Sequence, residues 1–176
     1  MQVARANFLK STDIVEIMWI SRRTDYATRA LVALAREDGV RPVKIQELAE
    51  RTDTPVSILE QVLPQLRSAG IVRSERGPNG GYRLNHAPED ITLERVVRIL
   101  QGPLAPIACA TRSEPEPCTM LEGCALNETW AEVRDATIAI LERTTFADLA
   151  ARSSGPWTAS QPVGVPTRRA RSQSGA

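Results

Sequence analysis

The chain of 176 residues is long enough for one hydrophobic core with one or two accessory segments. With 42% hydrophobic and 24% charged residues, its composition is that of a folded globular protein and excludes a fully disordered chain. The net charge is only +1, but four arginines between positions 67 and 83 precede an acidic stretch between 114 and 135, so we expect one basic and one acidic surface.

The location of the protein can be inferred from two further absences in the sequence. No run of about eighteen apolar residues occurs, so no segment is predicted to span a membrane. Arg5, Lys10, Asp13 and Glu16 interrupt the apolar core that a signal peptide needs, so we expect a cytoplasmic protein. Three cysteines are an odd number for a reducing compartment, which favours metal or redox chemistry over a disulfide framework.

The first predicted elements are helices. Residues 1–17 show weak periodicity, and we interpret them as an N-terminal extension or a misassigned start. From Arg22 to Arg36, apolar residues recur every three or four positions, which predicts an amphipathic helix capped by Ser21 or Thr24. A short second helix is expected around residues 45–49.

A third helix is predicted to follow a polar turn over residues 51–54. Thr54 and Pro55 are typical of an N-cap followed by proline at the first helical position, and Gly70 is expected to end the helix after Ala69. Two helices joined by a short turn have the geometry that places the second helix in the major groove of DNA.

A β-hairpin is predicted directly after this helix pair. Residues 71–76 form a strand-like run, the Gly-Pro-Asn-Gly-Gly sequence at 77–81 predicts a turn, and residues 82–84 form the returning strand. A hairpin in this place is the wing of a winged helix-turn-helix domain. The sequence therefore predicts a mainly α fold with a small β-hairpin wing, and we assign this DNA-binding domain to residues 18–102.

The second half of the chain divides into three predicted segments. Residues 103–125, after a helix over 92–100, form an irregular loop that contains all three cysteines. Residues 126–151 form a long amphipathic helix with a cap, and its apolar stripe has no further partner in the chain, which predicts a C-terminal dimerisation helix. The tail, residues 152–176, is rich in Ser, Gly, Pro and Arg and is expected to be disordered.

Two motifs in the winged domain resemble those of the Rrf family of bacterial regulators, whose iron–sulfur members include the IscR and NsrR groups. They are Leu-Glu-Gln-Val-Leu at 59–63, continued by the residues at 66–72, and Arg-Gly-Pro-Asn-Gly-Gly-Tyr-Arg-Leu at 76–84. The resemblance covers roughly residues 18–150. It implies a homodimer on double-stranded DNA, at a pseudo-palindromic operator, with the third helix in the major groove and the wing in the minor groove.

Candidate DNA-contacting residues lie on the third helix and the wing. Ser57 and Gln61 carry donors and acceptors for base edges, while arginines can neutralise phosphates or enter a narrow minor groove. The alternatives are contact with phosphate or solvent alone and, for Arg67, an ion pair with Glu60 or Glu75. The full set is Pro55, Val56, Ser57, Gln61, Arg67, Arg76, Gly77, Asn79, Gly80 and Arg83.

Cys109, Cys118 and Cys124 are separated by eight and then five residues within one irregular segment. Zinc would accept three cysteines and one further donor, whereas an iron–sulfur cluster normally has four ligands. The resemblance implies an iron–sulfur cluster, of the 4Fe–4S type in preference to 2Fe–2S. The alternative is a regulator without a cluster, switched by cysteine thiol chemistry or by zinc.

The fourth cluster ligand has to come from outside the three cysteines. The IscR-like pattern has a histidine shortly after the last cysteine, but Ala125, Leu126 and Asn127 stand there. The NsrR-like pattern implies an aspartate near the start of the first helix, donated by the other subunit, and Asp25 occupies that place. The alternative role of Asp25 is a helix-start carboxylate favoured by the helix dipole.

The function expected from these features is transcription regulation. The chain has one histidine, no glycine-rich phosphate loop after a strand and no nucleophile with a base at a recognisable spacing, so we do not expect an enzyme. We expect a repressor whose DNA affinity is gated by a cluster that senses nitric oxide, iron or redox state.

Overall fold

The computed structural model describes residues 20–37, 40–113, 115–116, 118 and 124–153. The predicted extension over 1–17 lies outside the described residues, and so do residues 154–176 of the tail predicted over 152–176, whose first residue, Arg152, is instead the last residue of a helix. None of the described helices is both long and apolar enough to cross a membrane.

Within the described residues, α-helices make up most of the regular structure, together with one antiparallel hairpin and two 3-10 turns, Pro88–Asp90 and Ala108–Ala110. The helices are α1 (Arg22–Arg36), α2 (Ile45–Thr52), α3 (Val56–Ser68), α4 (Leu93–Gln101), α5 (Ala125–Glu142) and α6 (Phe146–Arg152). The strands are β1 (Val72–Glu75) and β2 (Gly81–Leu84). The predicted mainly α fold with a β-hairpin wing is confirmed.

Helix α1 lies at the centre of the core and contacts α2, α3, α4, α6 and β2. Of the two predicted caps Ser21 is the one used, because its hydroxyl accepts a hydrogen bond from the backbone N–H of Thr24 at 3.1 Å. The periodic apolar residues are buried, as the spacing predicts. They include Ala27, Ala30, Leu31 and Leu34.

The connection between α2 and α3 differs from the prediction. Helix α2 continues to Thr52, so half of the expected turn is helical, and Pro55 instead of Thr54 is the N-cap of α3. Thr54 is only 5% exposed; its hydroxyl accepts a hydrogen bond from that of Thr52 at 2.9 Å and donates one to the Thr52 carbonyl at 3.2 Å. Burial therefore directs this hydroxyl back into the turn, away from the N-terminus of α3. Beyond α3, Gly70 has a φ of +74° and ends the helix as predicted.

The segment 126–151, expected as a dimerisation helix and its cap, consists of parts of two helices. Thr145 begins α6 with a capping box: its hydroxyl accepts from the Asp148 N–H at 3.1 Å, and its own N–H donates to the Asp148 carboxylate at 3.0 Å. Phe146 is fully buried and donates a backbone hydrogen bond to the Ile91 carbonyl at 3.0 Å. Helix α6 packs against α1 and so belongs to the core.

The wing is joined to the rest of the domain through its second strand. Val43, in the loop before α2, donates to the Tyr82 carbonyl at 2.9 Å and accepts from the Tyr82 N–H at 2.8 Å. The two backbones are so close that a Cβ at Gly81 would lie 2.5 Å from the Val43 carbonyl oxygen. The half-buried Tyr82 side chain packs against the core. The second strand is therefore bonded to β1 along one edge and to Val43 along the other.

Candidate functional site

The exposed face of α3 carries the residues predicted to read DNA bases. Ser57 and Gln61 lie one turn apart and are exposed, Pro55 is exposed at the N-cap, and Val56 is half-buried. The opposite face of the helix is fully buried in the core through Leu59, Val62, Leu63 and Leu66. The polar face of α3 is therefore exposed, so that this face could enter a groove of DNA.

The residues predicted to contact DNA from the wing differ in exposure and in ion pairing. Arg76, Gly77 and Asn79 are exposed and Gly80 is half-buried. Arg83 is 24% exposed, and its Nε lies 3.0 Å from the Glu75 carboxylate on the opposite strand. Within the described residues no ion pair involves Arg76, so its charge is available at the tip of the hairpin.

Arg67 forms neither of the ion pairs considered from the sequence. Its guanidinium donates a hydrogen bond to the Ser74 hydroxyl at 3.3 Å, and the residue is exposed. Arg67 therefore joins the end of α3 to the first strand of the wing.

A cleft of about 350 Å³ lies beside the wing tip, between the hairpin and the loop that precedes α2. Arg41 lines it and is bonded to Glu47, and the hydrogen bond from this guanidinium lowers the pKa of the Glu47 carboxyl. Lys44, exposed at the start of α2, lines the same cleft. The pairing of Val43 with Tyr82 brings Lys44 next to the wing. Because this pairing joins segments that are far apart in the sequence, no local pattern identifies Lys44 as a neighbour of the wing.

Two of the three cysteines lie at the N-terminal end of α5. Cys109 lies in a short 3-10 turn, Ala108–Ala110, and Cys124 is the residue just before α5; both are half-buried, whereas Cys118 is exposed. All three thiols are free. Among the residues described in this one protomer, no three Cys, His, Asp or Glu side chains form a group that could hold a metal ion.

Asn127 connects two of the cysteines. Its backbone N–H donates to the Cys124 carbonyl at 3.1 Å, and its side-chain amide nitrogen lies 3.2 Å from the Cys109 carbonyl oxygen and 3.4 Å from the Cys109 sulfur. Cysteine thiolates bind metals, and a donor to a ligating side chain orients it. Cys109 and Cys124 therefore fit a thiolate-bound metal group in their chemistry and in their common attachment to α5.

Two further contacts fasten the Cys109 segment to α5. Arg134 donates a hydrogen bond to the Ala110 carbonyl. Arg112 and Arg134 both pair with Asp135, at 2.9 and 2.7 Å, and the hydrogen bond from Arg134 is the main reason why the pKa of the Asp135 carboxyl is lowered. The segment that carries Cys109 is thus held along about two turns of α5.

Asp25 lies in the first turn of α1, on a different helix from the one that Cys109 and Cys124 adjoin. Its side chain is 44% exposed and pairs with Arg29 at 2.6 Å, while Arg29 lies over the Tyr26 ring, 5.6 Å from its centroid. No described group of potential metal ligands in this protomer includes Asp25. The predicted role of Asp25 as a ligand therefore requires a second subunit.

Helix α5 exposes large apolar side chains to solvent. Leu126, Val133 and Ile140 are 66%, 36% and 50% exposed and follow one another at intervals of seven residues. Of the 18 residues of this helix, only Ile138 is buried. Seven-residue spacing places the three exposed side chains on one stripe of the helix surface.

Comparisons with known proteins agree with this architecture. Residues 20–152 match the Rrf2 family, described as iron-dependent transcriptional regulators. An rrf2-like HTH-type transcriptional regulator of Rhodobacter capsulatus is 37% identical over 138 residues, which cover 75% of this chain and 92% of that protein.

Two solved structures are similar to the chain along most of its length. CymR, the global cysteine regulator of Bacillus subtilis, matches with a TM-score of 0.68 and 33% identity over 78% of this chain and 99% of that one. IscR of T. potens matches with a TM-score of 0.62 and 27% identity, covering 80% and 95% of the two chains. These relatives are named as regulators and not as enzymes. The chain is a DNA-binding transcriptional regulator and belongs to the Rrf2 family.

Proposed function

We propose that the protein is a homodimeric repressor that binds a pseudo-palindromic operator, and that an iron–sulfur cluster sensing nitric oxide, iron or redox state gates its DNA affinity. The observation that carries this proposal is the attachment of the Cys109 segment to α5, because α5 also carries the exposed apolar stripe. Chemistry at the cysteines would then act on the helix that joins the two subunits.

The stripe of Leu126, Val133 and Ile140 supports the dimer. A seam of apolar residues with a seven-residue repeat is typical of helices that pack along one another. A second copy related by a two-fold axis would bury both stripes against each other, since such an interface uses the same patch twice. The dimer would present two α3 helices to DNA, about 34 Å apart, as two half-sites one helical turn apart require.

Replacing Arg76 by glutamine should weaken DNA binding in a way that depends on salt and not on base sequence. The exposed charge at the wing tip is expected to neutralise one phosphate, so its removal should reduce the slope of log affinity against log salt by about one. Fluorescence anisotropy with a mixed-sequence duplex, repeated at several salt concentrations, measures this slope.

Arg98→Gln is the matched control, because Arg98 is an exposed arginine on α4 that pairs with Glu94. This control should keep the wild-type slope. If Arg76→Gln also keeps the wild-type slope, Arg76 does not contact the phosphate backbone.

Cys109, Cys118 and Cys124 of one subunit and Asp25 of the other are the proposed cluster ligands. The exposed Asp25 carboxylate pairs with Arg29, and because a surface ion pair contributes little it could turn towards a partner subunit at small cost. In the bound cluster, the Asp25 carboxylate would hold one iron atom. Oxygen binds iron less strongly than thiolate does, so this iron would be the labile one. Losing this link would free the DNA-reading part of one subunit from α5 of the other.

Anaerobic reconstitution of the full chain with ferrous iron and sulfide tests the cluster. We expect a brown protein with the absorption and Mössbauer spectra of a 4Fe–4S cluster, and lower operator affinity after the cluster is destroyed. Asp25→Ala should alter the signal of one iron site and hasten cluster loss about tenfold or more, because the site loses a ligand.

Asp90→Ala removes another exposed carboxylate of the same domain and should leave the spectrum and the rate of loss unchanged. If Asp25→Ala matches the wild type in both measurements, Asp25 is not the fourth ligand. A colourless protein that contains zinc would contradict the cluster itself.

A second candidate function is a regulator switched by thiol chemistry or zinc without a cluster. Two observations favour its thiol form over a metal site: no metal-holding group forms among the described residues of one protomer, and the chain is similar to a regulator named for cysteine. Alkylating the thiols in metal-free protein should then change DNA affinity, whereas the cluster proposal expects metal-free protein to respond little.

A further inference from the structure

Helix α5 presents two different faces, about a third of a turn apart. Leu126, Val133 and Ile140 form the exposed apolar stripe. Asn127 and Arg134, also seven residues apart, lie on the neighbouring face and bond the segment that carries Cys109. The contact of Asn127 with sulfur is therefore made one residue away from the proposed dimer seam.

We propose that Asn127 is a positioning residue for Cys109, whose side-chain amide holds the cysteine sulfur in place and stabilises negative charge on it. The inference rests on the proposed function, in which Cys109 is a cluster ligand. Asn127 is not itself assigned as a ligand. It acts through the sulfur that it contacts.

The geometry gives Asn127 this role through three contacts from a single residue. The side-chain amide nitrogen lies 3.4 Å from the Cys109 sulfur, which is within hydrogen-bond distance for a sulfur acceptor. It also lies 3.2 Å from the Cys109 carbonyl oxygen, which limits how the sulfur and the amide move relative to each other. The backbone N–H bonds the Cys124 carbonyl, so the same residue fixes the start of α5.

The expected consequences follow from electrostatics. A donor directed at a ligating sulfur favours the more negatively charged, reduced form of a cluster, so it raises the reduction potential. It also orients the ligand, and loss of such an outer contact typically costs a metal site about 10- to 100-fold in affinity. Asn127 should therefore affect both the potential and the lifetime of the cluster.

The test compares wild type, Asn127→Leu and Asn127→Gln as full chains reconstituted anaerobically with iron and sulfide. Leucine keeps the approximate size and removes the donor, whereas glutamine keeps an amide donor. In Asn127→Leu we expect a lower midpoint potential and loss of iron to a chelator about tenfold faster or more. Asn127→Gln should recover at least part of both properties.

Glu132→Gln, an exposed change elsewhere on α5, is the matched control and should behave as wild type. Circular dichroism establishes that each variant folds, so that a fall in iron content can be assigned to the site. An unchanged midpoint potential and chelation rate in a folded, cluster-bearing Asn127→Leu would overturn the inference while leaving the proposed function intact. A wild-type chain that takes up no iron and sulfide would overturn both.

Discussion

Replacing Val133 by glutamate should convert the proposed dimer into monomers and remove most of the operator affinity. Val133 is the middle residue of the exposed stripe on α5, so a two-fold partner packed on this stripe would bury the new carboxylate, which is costly. A monomer engages one half-site only, and losing the second contact typically lowers apparent affinity about 10²- to 10⁴-fold. Sedimentation velocity and anisotropy with a palindromic duplex measure the two effects.

Ala139→Glu provides a matched control on the same helix. Ala139 is exposed and lies on the side of α5 away from the stripe, so the same charge introduced there should remain in water. We expect this variant to stay dimeric and to bind DNA as wild type does. A Val133→Glu protein that sediments as a dimer with unchanged affinity would show that α5 does not form the interface.

Truncating Phe146 to alanine should destabilise the fold by about 3–5 kcal/mol, the range for a buried phenylalanine that leaves a cavity. Phe146 is 0% exposed and is the largest of the fully buried side chains among the described residues, at the point where α6 meets the core. Urea unfolding followed by circular dichroism gives the free energy of unfolding. Thermal unfolding should show a melting temperature lower by roughly 6–20 °C.

Two further variants make this result interpretable. Phe146→Leu retains most of the apolar volume and should cost clearly less than the alanine variant. Val40→Ala changes a side chain that is 71% exposed and should alter stability by less than about 0.5 kcal/mol. A loss below about 1 kcal/mol for Phe146→Ala would mean that α6 does not unfold together with the rest of the core.

Local patterns were sufficient to predict most of the fold. The helical spacing of apolar residues identified α1 and α4, and the glycine-rich turn identified the hairpin, because both signals lie within about a dozen residues. The break between α5 and α6 also had a local signal, since Thr145 and Asp148 form a capping-box pair. The assigned N-cap of α3 was wrong because burial of Thr54, which only the folded chain creates, decides where its hydroxyl bonds.

The candidate site could be predicted only in part. The cysteines and the polar face of α3 follow from residue type and spacing. Asn127 and Lys44 were not identified, because their neighbours, Cys109 and the wing tip, are brought to them by tertiary contacts. The role assigned to Asp25 depends on contacts between subunits, which residue spacing within one chain does not specify.

The backbone pairing between Val43 and Tyr82 bears on how the protein measures an operator. This one-residue β-bridge ties the loop before α2 to the second strand of the wing, so the wing is joined by backbone hydrogen bonds to the segment that leads into the helix pair. A DNA-binding domain joined in this way has little freedom to rearrange its contacts to fit a groove of different shape. In the proposed dimer, discrimination between operators would then depend on the rotational phase of the two half-sites around the double helix, because inserting one base pair turns one half-site by roughly 35° relative to the other.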